Sequence, residues 1–161
     1  MTTPRHSRQR DLNQELEAIL IGHWLTDFAN FSAFVFAHLP DLNWTGFYLA
    51  TQDKLILGPF CGQVACTEIA FEKGVCGKAF TDQQSLRVAD VHEFPGHISC
   101  DPVSRSEMVI SLPAHLGVFD LDSPHLNRFS EDDQILLQKW VQILFQKIPA
   151  QQFSSRPWQT H

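Results

Sequence analysis

At residue 43 the hydrophobic pattern changes period, and this switch restricts the fold more than any other feature of the chain. Before it, Leu12, Leu16, Ile19 and Leu20 recur at helical spacing, which predicts a helix over 11–21. Gly22 interrupts that helix, and Trp24, Leu25, Phe28, Phe31, Phe34 and Val35 resume a helical stripe ending ahead of Pro40. From 43 to 50 the residues turn β-branched and aromatic, as in Trp44-Thr45-Gly46-Phe47-Tyr48-Leu49. That run predicts a strand, with Leu55-Ile56-Leu57 as its hairpin partner. Residues 61–67 read as a third short strand, 75–80 as a short helix and 86–91 as a further strand before a long loop through Cys100. A hairpin of 107–112 and 116–121 follows across Pro113-Ala114-His115. Ser130 and Asp133 form a capping box ahead of Ile135, Leu136, Trp140, Ile143 and Leu144, a final amphipathic helix. Hairpins flanked by helices imply an α+β domain: a central antiparallel sheet with the N- and C-terminal helices packed on one face.

The 161 residues fit one domain, expected over 11–149, with a disordered tail at 1–10 and a loose polar tail at 150–161. Thirteen Phe supply ample core. The net charge of −6 argues against nucleic acid as partner, since phosphate binding needs a basic footprint. Arg5, Arg8 and Arg10 sit in the first ten residues, so the rest carries nine basic against eighteen acidic residues. No run of 18 apolar residues exists, and no apolar stretch follows a basic start. The expectation is therefore a cytoplasmic chain with no membrane partner, whose four cysteines act as thiols rather than as a disulfide scaffold.

Three of those cysteines, Cys66, Cys76 and Cys100, lie within 35 residues rich in Gly, Pro and His. Cys76 stands in Gly74-Val75-Cys76-Gly77, and Cys100 follows Phe94-Pro95-Gly96-His97 by three residues. Glycine permits unusual dihedrals, so sulfurs in such turn-rich segments stay reachable. Cysteines in mobile loops suit a nucleophile that must meet a second thiol after reacting. Taken singly, Cys66 also fits a core position, and Cys61 in its strand-like run reads as a bystander. His97 either favours the Cys100 thiolate or is a surface histidine. Zinc held by Cys66, Cys76, Cys100 and His97 is conceivable, but the short paired spacing of structural zinc is absent.

The second hairpin sharpens the picture. A turn centred on Pro113-Ala114 sets Glu107 opposite Asp120, and Asp122, two residues on, shares their face. Carboxylates within a hydrophobic strand need a reason. An acidic pocket for a cationic ligand group, or for a group that must hold a proton, supplies one, because crowded carboxylates have raised pKa values. Trp44 and Tyr48 share one face of the first strand, as core or as walls of a small pocket.

Together these residues resemble the free methionine-(R)-sulfoxide reductases, single-domain enzymes of the GAF fold that reduce the sulfoxide of the free amino acid. The resemblance runs from about residue 25 to 148 and includes the Cys66, Cys76 and Cys100 intervals of ten and twenty-four, Phe94-Pro95-Gly96-His97, and Asp120-Leu121-Asp122-Ser123-Pro124. It implies that Cys100 is the nucleophile, Cys66 the resolving thiol and Cys76 an auxiliary thiol. It also implies that Glu107, Asp120 and Asp122 hold the ammonium group and the sulfoxide oxygen, with Trp44 and Tyr48 around the thioether end. A sulfenic acid on the nucleophile would condense to a disulfide, recycled by thioredoxin, with no metal or organic cofactor. A homodimer is compatible with the sequence. Three departures stand out: Cys61 replaces a non-cysteine, Ala70 and Glu72 replace the usual Pro and Gly, and the turn at 113–115 is about three residues short and lacks its Gly. The rival from another class is a GAF-type sensing module that binds a small ligand without turnover. Such a module has no need of three spaced thiols beside carboxylates.

Overall fold

Helices open and close the chain around a continuous run of strands. The computed structural model describes residues 4–159 apart from 98 and 99, with backbone alone for 4–9. The elements are α1 (Pro4–Ile19), α2 (Trp24–His38), β1 (Trp44–Ala50), β2 (Lys54–Gly62), β3 (Glu68–Ala70), α3 (Gly74–Asp82), β4 (Leu86–Val88), β5 (Ser106–Ser111), β6 (Gly117–Ser123) and α4 (Glu131–Lys147). All strand pairings are antiparallel, in the order β3-β2-β1-β6-β5-β4.

The break between α1 and α2 is built by Gly22 at φ +84 and by buried Asp27. Its two carboxylate oxygens accept the backbone N–H groups of Ile21 and Gly22 at 2.9 and 2.8 Å. Ser130 and Asp133 close the expected capping box at the start of α4, worth about 1 kcal/mol. Strand alternation then splits the sheet into two faces. Phe47, Leu49, Met108, Ile110, Phe119 and Leu121 point toward α1, α2 and α4. Phe28 stacks on Phe47 at 4.1 Å, while Phe31 and Phe47 meet Phe119 at 4.9 and 4.7 Å. The opposite face, with Trp44, Tyr48, Val109 and Val118, packs on α3. The short helix therefore covers the face that the long helices leave free.

Four expectations need correction. α1 begins at Pro4 rather than near residue 11, and proline is favoured at a first helical position. The expected strand over 61–67 does not form. β2 instead runs on to Gly62 and the third strand is β3, paired through Leu55 with Ile69. Pro59 fits inside β2 because β3 pairs only with 54–56, so the missing N–H lies beside an unpaired edge. Residues 150–159 are not loose: Phe153 meets Phe145 at 5.4 Å, and Trp158 Nε1 donates to the Ala50 carbonyl at 2.9 Å.

The fourth correction is the register of β5 and β6. Glu107 faces Asp122, and Val109 faces Asp120. The hairpin closes at Leu112 and Gly117, around a 3-10 turn in which Ala114 and His115 are both left-handed. This wider turn shifts the pairing by two residues, which leaves every side chain on its expected face. Gly117 is required there, because a Cβ at its φ of +141 would lie 2.1 Å from the Tyr48 carbonyl oxygen.

One departure from the resembled family carries a visible backbone strain. Glu72 stands at φ +66, in the left-handed region, where the family has Gly. Relief of that strain outweighs the entropy that glycine adds to the unfolded chain. Glu72→Gly is therefore expected to stabilise by about 0.5–1 kcal/mol, a rise of roughly 2–3 °C in Tm by differential scanning calorimetry. A lower Tm would mean that the Glu72 side chain contributes more than its backbone costs.

Candidate active site

The site lies between the α3 face of the sheet and the loops before β3 and β5. Alternation carries Glu107 on β5, and Asp120 and Asp122 on β6, onto the α3 face of the sheet. On the neighbouring strand, Trp44 pairs with Asp122 and Gly46 with Asp120, so Asp120 meets a residue without a side chain. Glu107 and Asp120 are each only 6% exposed, and Asp122 is partly exposed. Burial, with repulsion from Asp122, raises the Glu107 carboxyl well above its usual range. Burial and then Glu107 raise Asp120, and burial and then Asp120 raise Asp122. All three carboxyls therefore hold their protons to higher pH than exposed carboxyls do. Asp120 Oδ1 is buried without a hydrogen-bond partner.

Cys76, in the first turn of α3, is buried over these carboxyls and donates its S–H to Glu107 Oε1 at 3.8 Å. Burial first, and then Asp120, Glu107 and Asp122, push its pKa well up, so it stays a neutral thiol. Ligand atoms of Cys76, Glu107 and Asp120 lie within 4.8 Å of one another. The other two thiols of the expected set are joined: Cys66 and Cys100 form a disulfide with their Cα atoms 5.3 Å apart. In that state neither offers a thiolate, so the four-residue zinc arrangement conceived from sequence is not available. Cys61 is free on β2 opposite Thr45, away from the cleft-lining residues.

Trp44 and Tyr48 stack at 5.8 Å, belong to the buried cluster on this face and line the cleft as well. Each also steadies the loop that carries Cys66: Trp44 Nε1 donates to the Gln63 carbonyl at 3.1 Å, and Tyr48 Oη to the Cys66 carbonyl at 3.0 Å. Burial, and then Asp120, keep the Tyr48 hydroxyl protonated. His97 lines the cleft and stacks against His92 at 6.3 Å. Burial and then His92 lower its pKa, so it remains neutral near pH 7 and adds no positive charge beside Cys100.

Three contributors escaped the sequence reading. Asn43 Nδ2 donates to Asp101 Oδ2 at 2.8 Å and to Ser104 Oγ at 3.0 Å, which ties down the loop just after Cys100. Asp101 Oδ1 accepts the Val103 N–H, an Asx turn that the Asp101-Pro102 pair signals in sequence. Lys73, next to Gly74, lines the same cleft. With the disulfide closed, the free volume is about 30 Å³, room for a water or two.

Fold and site together define a GAF-type domain with a disulfide against a pocket of buried carboxyls. A solved GAF domain superposes with a TM-score of 0.82 at 31% identity, covering 92% of this chain and 91% of its own. No family model matches the chain. The free methionine-R-sulfoxide reductase of Escherichia coli K12 is 43% identical over 136 residues, 81% of this chain and 82% of that protein. The free methionine-R-sulfoxide reductase from Neisseria meningitidis, solved in complex with its substrate, has a TM-score of 0.84 at 34% identity, covering 94% and 95% of the two chains. The chain belongs to the free methionine-R-sulfoxide reductase family.

Proposed function

We propose that this protein reduces free L-methionine-(R)-sulfoxide to methionine with its own thiols and is recycled by a dithiol protein such as thioredoxin. The observation that carries the reading is the Cys66–Cys100 disulfide, closed over a cleft lined by three crowded carboxyls whose pKa values burial raises. In the reduced enzyme the Cys100 thiolate attacks the sulfoxide sulfur. A protonated carboxyl of the Glu107, Asp120 and Asp122 group donates to the oxygen as it leaves sulfur. Oxygen passes to Cys100, giving a sulfenic acid and methionine, so sulfoxide is reduced by two electrons as the cysteine is oxidised by two. The Cys66 thiol displaces that oxygen as water and forms the disulfide. A dithiol then reduces the disulfide and is itself oxidised.

In this scheme the disulfide form is the product state, because both thiols have been oxidised, and the next sulfoxide is turned over after the disulfide is reduced. Cys76 stays in reserve as a neutral thiol hydrogen-bonded to Glu107. No helix among the described residues is long and apolar enough to cross a membrane. We place the enzyme in the cytoplasm, where dithiol reductants are supplied.

The reading is tested by assaying methionine formation from free and peptide-bound sulfoxide with thioredoxin, thioredoxin reductase and NADPH. Turnover of the free R form alone is expected; no turnover of any sulfoxide would overturn it. Cys66→Ser should still complete one turnover but lose sustained cycling, with Cys100 trapped by a sulfenic-acid reagent. Undiminished steady-state turnover in that variant would remove Cys66 from the resolving role.

A further inference from the structure

One thiol of the cleft has no step in the proposed thiol cycle. Cys76 is buried against Glu107, its sulfur 3.8 Å from Oε1, and Asp120 completes a triangle of donors within 4.8 Å of one another. The three side chains come from α3, β5 and β6, so the packing of α3 on the sheet brings them together. Zinc with Zn–S of about 2.3 Å and Zn–O of about 2.1 Å, at tetrahedral angles, sets sulfur and oxygen about 3.6 Å apart and two oxygens about 3.4 Å apart. The triangle therefore closes on such an ion with side-chain movement of roughly an ångström. Asp120 independently marks a ligand's place. It is 6% exposed, and its Oδ1 has no hydrogen-bond partner. A buried oxygen left without a partner is costly, and Gly46, opposite Asp120 on β1, has no side chain to supply one. The lining is acidic overall, with Asp101, Glu107, Asp120 and Asp122 against Lys73 among the described residues, and its free volume of about 30 Å³ has room for one ion.

We propose that Cys76, Glu107 and Asp120 form a binding site for one thiophilic divalent cation of the zinc class. A thiolate beside carboxylates favours Zn²⁺ and Cd²⁺ over Mg²⁺ and Ca²⁺, which take oxygen shells. Three protein ligands leave the fourth tetrahedral position to water in the cleft. The ion takes the place of the Cys76 S–H proton and of any carboxyl protons, which pass to solvent, and no electron is transferred. The site differs from the four-residue set conceived from sequence, because it uses neither Cys66 nor Cys100 and is complete with their disulfide closed. It stands apart from the reductase reading and is tested without turnover.

The disulfide form of a Cys61→Ser chain keeps Cys76 as its one free thiol, which makes the assignment direct. That protein is titrated with Cd²⁺ while equilibrium dialysis counts bound metal and ultraviolet absorbance follows thiolate-to-cadmium charge transfer. One ion per chain and the charge-transfer band are expected, with Zn²⁺ displacing the Cd²⁺ and Mg²⁺ failing to. Further substitution of Cys76→Ser should abolish the band. Glu107→Gln and Asp120→Asn should each weaken binding at least about tenfold. Glu107→Gln relieves a charge repulsion and keeps the fold, so weaker binding there is the loss of a ligand. At a hundred times Kd the ion should raise Tm by about 5–10 °C, because it binds the folded chain. Absence of the band, or unchanged affinity in Glu107→Gln or Asp120→Asn, would overturn the proposal. A band without a rise in Tm would place the ion on a thiol of the unfolded chain and overturn it equally.

Discussion

Cys100→Ser is expected to lower methionine release by at least about 10³-fold even in a single turnover without recycling reductant. Cys100 sits beside the cleft, held by the turn that Asp101 begins and by the Asn43 amide on the following loop. A serine hydroxyl at neutral pH is a far poorer nucleophile than a thiolate, so this loss falls on the chemical step rather than on recycling. Cys61→Ser serves as the control and should keep nearly full activity, since Cys61 is free on the strand away from the cleft. Quantifying methionine by mass spectrometry after one equivalent of sulfoxide checks both variants. Release at the wild-type level from Cys100→Ser would move the nucleophile elsewhere.

Glu107→Gln and Asp122→Asn should lose activity while gaining or keeping stability. The two residues face each other across β5 and β6, and like charges directly opposed in a sheet are destabilising. Each amide keeps the size of its parent but cannot carry charge toward an ammonium group, and it donates a proton poorly to a leaving oxygen. Loss of one charged hydrogen bond costs about 1.5–3 kcal/mol, roughly ten- to a hundredfold in kcat/KM. Stability should respond to pH in a defined direction. Burial raises the folded pKa values of Glu107, Asp120 and Asp122 above the unfolded values of about 4. The folded chain then holds protons that the unfolded chain has released. This contribution is fully present below about pH 4 and is lost as pH rises through the raised folded values. Tm should fall across that window in the parent and fall less in each variant. A variant with full kcat/KM and an unchanged pH slope would return its carboxyl to the role of solvated surface.

The carboxyl face was legible in the sequence while its register was not, for one physical reason. Side chains alternate with a period of two, so the two-residue error in pairing Glu107 preserved the face it occupies. That error came from the left-handed pair Ala114 and His115, which no glycine or asparagine announces. The flanking helices were legible from apolar periodicity and from the Ser130 capping box. β2 and β3 were misread because Pro59 suggests a strand end, and only the unpaired edge beside it shows otherwise. The 150–159 segment looked polar, yet Phe153 and Trp158 anchor it against α2 and α4. Asn43 and Lys73 were missed because their partners are distant in the chain: Asn43 reaches Asp101 across 58 residues, and Lys73 matters only once α3 covers the sheet.

In the proposed reaction one sulfoxide oxidises one defined pair of thiols. The direct measurement reduces the enzyme fully, removes the reductant, adds excess free L-methionine-(R)-sulfoxide, and counts methionine formed and thiols lost while mapping the disulfide by mass spectrometry. The expected result is one methionine and two thiols lost per chain, a Cys66–Cys100 bond, and Cys61 and Cys76 still alkylatable. A bond joining Cys61 to Cys76, or methionine formed without loss of the Cys66 and Cys100 thiols, would contradict it.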